Sequence, residues 1–252
     1  MPDKRFVCLL LVALEVCLVP RCFSADRDPV PPHNDPVFIK KLLEAHNWLR
    51  SRAHPPASNM LDMSWDKRLA NLASMWLERC ILKPNAYIVP PKKPHPLFKS
   101  IGEIRWVREG YADEDPIKEW QLEEQNYHLT TNTCDRKCSS YTQVMWADTY
   151  KVGCAARRCK GIEGYEGGSG VIFLCHYGPK GNIPGKRPYL KGEACSKCPD
   201  EECVENLCRN EDRAKEIAGE EWLPFSSSAF SFHLYCTTSA VFGQLLAIEF
   251  WN

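Results

Sequence analysis

Apolar residues recur at helical spacing behind Asn34-Asp35-Pro36, where Phe38, Ile39, Leu42, Leu43, His46 and Leu49 fall on one stripe. A cap residue followed by proline in the first turn reads as a helix start, and Pro55-Pro56 ends the segment. A second helix is predicted from about Ser64, with Trp65, Leu69, Leu72, Ala73 and Trp76 on one stripe and Cys80 at its end. After a proline-rich loop over 84–96, Asp115-Pro116 opens a third helix whose face carries Ile117, Trp120, Glu123 and Tyr127. Residues 139–148 read as a short fourth. The period then changes. Val152, Cys154 and Ala156 alternate with exposed-type neighbours, 171–177 is an apolar run bounded by glycines, and 102–107 reads as a further strand. Helices and strands interleave without a βαβ rhythm or a glycine-rich phosphate loop, so the expected class is α+β, in α-β-α layers. Trp65, Trp76, Trp120 and Trp146 are read as core.

Composition narrows the setting. Lys+Arg and Asp+Glu are both 32, which gives no basic excess for general nucleic-acid binding, and no nucleic-acid partner is expected. Hydrophobic content of 44% with 25% charged residues is that of a globular chain. The 14 cysteines argue against a reducing cytosol. Lys4-Arg5, an apolar run over 6–19 and small residues up to Ser24 and Ala25 have the order of a secretory signal, so 1–24 is expected to be removed and the protein to be extracellular. At the other end, 222–248 carries no Asp, Glu, Lys or Arg, but its first half is rich in Ser and Thr and no basic cluster follows it. The tail over 210–252 is therefore left open between a membrane tether and a free extension.

The cysteines fall into two groups. Cys80, Cys134, Cys138, Cys154, Cys159 and Cys175 are widely spaced, whereas Cys195, Cys198, Cys203 and Cys208 form a dense cluster. Cys195-Ser-Lys-Cys198 has zinc-ligand spacing, but no second CxxC follows, and an exported chain favours two disulfides there. Cys236 is left over.

Three ordered motifs then become specific. His46-Asn47-Trp48-Leu49-Arg50 is followed by Pro55-Pro56-Ala57, Asn59-Met60-Leu61 and Trp65-Asp66. Tyr141-Thr142-Gln143-Val144-Met145-Trp146 comes next, and Phe173-Leu174-Cys175-His176-Tyr177-Gly178-Pro179-Lys180-Gly181-Asn182 is the last. Together they resemble the CAP superfamily of cysteine-rich secretory proteins, antigen 5 and pathogenesis-related 1 proteins, and within it most the glioma pathogenesis-related group. The resemblance covers about residues 36–190. It implies a three-layer α-β-α sandwich with disulfides Cys80–Cys159, Cys134–Cys138 and Cys154–Cys175. It also implies a small knot over 191–209 with Cys195–Cys203 and Cys198–Cys208.

The resemblance also implies two histidines and two glutamates in a central cleft that can hold a divalent metal. Carried over by position, these fall on His95, Glu103 and Glu123, but the second histidine is replaced by Ser140, and the asparagine expected after Glu103 is Ile104. A hydroxyl is a poor ligand beside imidazole. His95, Glu103 and Glu123 are therefore expected to bind zinc weakly or not at all, and no cofactor is expected. His176 is read as satisfying a local hydrogen bond, and His46 and Asn47 as packing and capping residues. Ser140 lacks the glycine flanks of a nucleophile elbow, so no catalytic residue is assigned. The expected function is a non-enzymatic binding module, secreted or membrane-tethered, for a protein partner or a sterol or other lipid. The competing expectation is a metal-dependent hydrolase or protease acting through Glu103 and Glu123.

Overall fold

The computed structural model describes residues 30–89, 95–109 and 116–215. The expected signal, Asp115, Cys236 and the chain beyond Lys215 lie outside the described residues. Helix α1, Pro36–Arg50, starts as its sequence requires: Asp35 accepts from the Phe38 N–H at 2.8 Å and proline occupies the first turn. Its buried stripe is Phe38, Leu42, His46, Leu49 and Arg50.

The second helix begins later than its periodicity predicts. Ser64–Trp65 is instead a short strand, β1, and α2 runs over Lys67–Leu77. Two forces set this boundary. The Ser64 and Asp66 N–H groups donate to the carbonyls of Tyr150 and Val152, and the Asp66 carboxylate caps Arg68 and Leu69 at 2.8 and 3.0 Å. Trp65 therefore leaves the helical stripe and meets Phe38 edge-on, with ring centroids 6.4 Å apart.

Strand β2 spans Gly102–Arg108 and α3 spans Pro116–Gln121. The third helix is shorter than expected. It tightens into a 3-10 turn, Leu122–Asn126, that carries Glu123, and Tyr127 enters the small hairpin of β3, Tyr127–His128, and β4, Thr133–Cys134. Helix α4, Ser139–Val144, also stops early. The chain then forms β5, Lys151–Cys159, and β6, Gly170–Gly178, and closes with the hairpin β7, Glu202–Val204, and β8, Leu207–Arg209, before α5, Glu211–Lys215.

The central sheet has the order β1-β5-β6-β2, antiparallel except for the parallel β1–β5 pair. Phe173, Cys175 and Tyr177 of β6 join the core under α1, α3 and α4, while Ile172 and Leu174 join the core under α2. This is the expected α-β-α sandwich. Helices on both faces also explain why β6 is one apolar run: every residue of it is buried.

All five implied disulfides are present. Cys80–Cys159 joins residues 79 apart, a loop whose closure restricts the unfolded chain by about 4–5 kcal/mol. The knot is continuous with the main body. Cys208 exchanges backbone hydrogen bonds with Met60 and Asp62, and Lys197 donates to Ser58. The packed body also runs past Arg209: Arg213 donates to the Cys208 carbonyl at 2.7 Å, and Lys151 donates to Ala214 at 2.8 Å.

Two side chains from the first motif fasten these layers. Arg50, fully buried, donates to the carbonyls of Leu61, Val144, Trp146, Ala147 and Thr149 at 2.6 to 3.2 Å. Burial lowers its pKa to about 9. Asn47 does not cap the helix; its amide makes a two-way bridge to the Met63 backbone, 2.9 Å in each direction. His46 packs as expected, with Nδ1 2.7 Å from the Leu42 carbonyl, an acceptor, so Nδ1 carries the proton and Nε2 accepts from the Tyr177 hydroxyl at 2.9 Å.

Candidate functional site

The cleft forms where the outer edge of β2 faces the start of α4. It encloses about 350 Å³ between residues 103–107 on one side and Lys137, Ser139, Ser140 and Asn182 on the other. Glu103 enters it from β2, where period-two alternation puts Arg105 on the same face. The Glu103 carboxylate is ion-paired with Arg105, accepts from the Asn85 N–H at 3.1 Å, and stands 3.2 Å from His176 Nε2. His176 lies opposite Glu103 in the β2–β6 register, and its Nδ1 is 3.2 Å from the Leu69 carbonyl. The expectation of a local hydrogen bond for His176 is thus met, and one of its partners is a cleft glutamate.

Glu123 is placed by the 3-10 turn behind α4. Its carboxylate accepts from the Ser140 N–H at 2.7 Å, the Tyr141 N–H at 3.2 Å and the Ser140 hydroxyl at 2.9 Å. Lys137 Nζ lies 3.2 Å from Oε1, the oxygen that also accepts the Ser140 hydroxyl. The Cys138 N-cap of α4 supplies no side-chain cap, so Glu123 satisfies two of the orphan donors of that helix from outside. A carboxylate has about four lone-pair positions. With four donors on Glu123, none is left over.

The structure does not bring His95 to either glutamate. Its ring is fully buried, stacks on Phe98 at 4.7 Å, accepts at Nδ1 from the Leu97 N–H, and places Nε2 3.2 Å from Asp66 Oδ2. That Asp66 is the residue capping α2, whose carboxyl is held below its usual range; burial raises its pKa, but hydrogen bonds from His95, Leu69 and Arg68 outweigh burial. The four expected positions therefore split into Glu103 with His176, Glu123 with Ser140, and His95 with Asp66. Resemblance assigned His95 to the cleft, but the direction of its ring is set by the aromatic and carboxylate partners it meets in the core.

Arg105, Lys137, Asn85 and Asn182 were not anticipated. Arg105 had a signal in the sequence, two residues from Glu103 on a strand. Lys137 had one only in its proximity to the Cys134–Cys138 link.

A divalent metal does not fit this arrangement. Glu123 is saturated by four protein donors, Glu103 is held by Arg105, Asn85 and His176, and the His95 imidazole faces Asp66 instead. Among the described residues, the one group of three ligand-type side chains close enough to share an ion is Cys195, Cys198 and Cys208, and all three are in disulfides.

Comparison with known proteins gives a family model, CAP, the cysteine-rich secretory protein family, matching residues 43–177. The chain is similar to GLIPR1-like protein 1 of Homo sapiens, 38% identical over 209 residues that cover 82% of this chain and 83% of that protein. It is 40% identical to glioma pathogenesis-related protein 1 of Mus musculus over 194 residues, 76% of this chain and 71% of that one. Among solved structures it resembles a crystal structure of NaASP2 with Zn²⁺, at TM-score 0.52 and 29% identity, covering 68% of this chain and 94% of that one.

Proposed function

The chain belongs to the CAP, or cysteine-rich secretory protein, family, and on that premise we propose that it is a non-enzymatic extracellular binding module, secreted or held at the membrane through its tail. Its ligand is an extracellular protein or a sterol or other lipid. The observation that carries this reading is the saturation of Glu123 by Ser140, Tyr141 and Lys137. A carboxylate that caps a helix and pairs with a lysine has no lone pair to offer a metal or a reacting water. Ser140 donates its hydroxyl to that same carboxylate, with no imidazole to take its proton. A protein ligand suits the polar, charge-paired cleft. A lipid would suit the larger groove of about 1170 Å³ between α1, α3 and the β7–β8 hairpin, which exposes Trp48 and Leu122.

The hydrolase alternative is tested directly. The secreted full-length protein, incubated with fluorescently labelled casein with and without added Zn²⁺, is expected to show no turnover above the blank. Turnover abolished by EDTA and by Glu123→Gln would establish the enzymatic reading instead.

A further inference from the structure

The cleft does not end at the two glutamates. A second trough of about 360 Å³ opens beyond Lys137, Ser139 and Asn182, which line both, and its walls add Arg136, Lys186 and Tyr127. The first trough runs beside five successive residues of β2, 103–107. Among the described residues, strand β2 is at the edge of the sheet and pairs with β6 alone. No other backbone hydrogen bond among the described residues reaches residues 103–107. In an antiparallel pair, every second residue turns its N–H and C=O away from the partner strand, so β2 presents an open ladder to the trough.

The charges that line the two troughs are unequal. Arg105, Arg136, Lys137 and Lys186 line the two troughs against the single carboxylate of Glu103, with Glu123 paired to Lys137 from behind. We propose that the double trough receives an extended acidic segment of a partner protein, which adds as a strand to the open edge of β2 and sets its carboxylates against Arg136, Lys137 and Lys186. Main-chain hydrogen bonds along the edge supply affinity, and alternate side chains supply selectivity. Charged residues on the edge exclude apolar strands, which limits self-association, while the cationic excess steers an acidic one. This inference rests on the reading of the cleft as a binding surface and names the partner chemistry for it.

The test uses the secreted full-length protein and a capped heptapeptide of alternating Glu and Val, with a Lys/Val counterpart and a heparin hexasaccharide as comparators. The Glu/Val peptide is expected to bind saturably and the Lys/Val peptide not to bind. Amide hydrogen exchange should slow at alternate residues of 103–107, and affinity should fall as salt is raised. Arg136→Glu combined with Lys186→Glu, both at exposed positions, should weaken binding by about tenfold. The inference is overturned by the lack of saturable binding up to about 1 mM peptide, by binding without protection of β2, or by binding of the hexasaccharide in place of the peptide. Intact, unbound peptide would overturn this inference alone. Cleaved peptide, read by mass spectrometry, would overturn the non-enzymatic reading beneath it as well.

Discussion

Arg50 and Glu123 are both charged side chains wrapped in hydrogen bonds, one in the core beneath α1 and one behind the cleft wall at the start of α4. Arg50 gathers five carbonyls from the segments that α1 must hold against α4 and β5. Glu123 gathers two N–H groups, a hydroxyl and an ammonium at the mouth of α4. They differ in burial and in what surrounds them, yet both spend all their hydrogen-bonding capacity on the protein. The lesson is that position in a cleft does not make a charged residue chemical. What decides is whether any lone pair or donor is left after the fold has been satisfied.

The comparison is broken most severely at Arg50. Arg50→Met keeps the volume but leaves buried carbonyls short of a donor, and should cost about 3–5 kcal/mol, read as a lower midpoint in urea. A loss under about 1 kcal/mol would mean that water replaces the guanidinium there.

Acid should act next, through His46. Burial lowers its pKa from 6.5 to about 4, so the unfolded chain binds a proton before the folded chain does. This stability is complete above pH 6.5 and is lost as pH falls toward 4, by roughly 3 kcal/mol from this group. A His46→Gln variant should have a flatter stability profile across that window, measured by urea unfolding at successive pH values. An unchanged slope would show that other groups carry the acid sensitivity.

The smallest of the three effects belongs to Glu123. Glu123→Gln keeps one acceptor for the α4 N–H groups but loses the charge that assists them, and should cost about 1–2 kcal/mol while leaving the disulfides intact. A loss as large as that at Arg50 would erase the distinction between core and cleft wall.

Much of this architecture was legible in the chain. The stripe of Phe38, Leu42, His46 and Leu49 gave α1, because one face of a helix buried against a sheet leaves that period. Residues 171–177 read as a strand from their glycine-bounded apolar run, although both faces are buried and no alternation survives. The start of α2 was not legible, since it depends on Trp65 pairing with Val152, far along the chain. Resemblance named Glu103, Glu123 and Ser140 as cleft positions, but not the partners that the structure gives them. Lys137 and Arg105 acquire meaning only beside the carboxylates they neutralise. His95 was carried over by resemblance, which does not encode which way a ring turns, and Phe98 and Asp66 hold it in the core.

Glu103 and Glu123 are held by protein donors in an arrangement that does not fit a divalent metal. Calorimetric titration of the secreted full-length protein with Zn²⁺ at neutral pH tests it most directly, with Ser140→His, Glu103→Gln and Glu123→Gln run alongside. No saturable heat with a dissociation constant tighter than about 10 µM is expected, and none for Ser140→His either, because the added imidazole meets the saturated Glu123 carboxylate and His95 faces Asp66. Stoichiometric, tight binding by the wild-type protein that either glutamate substitution abolishes would contradict it.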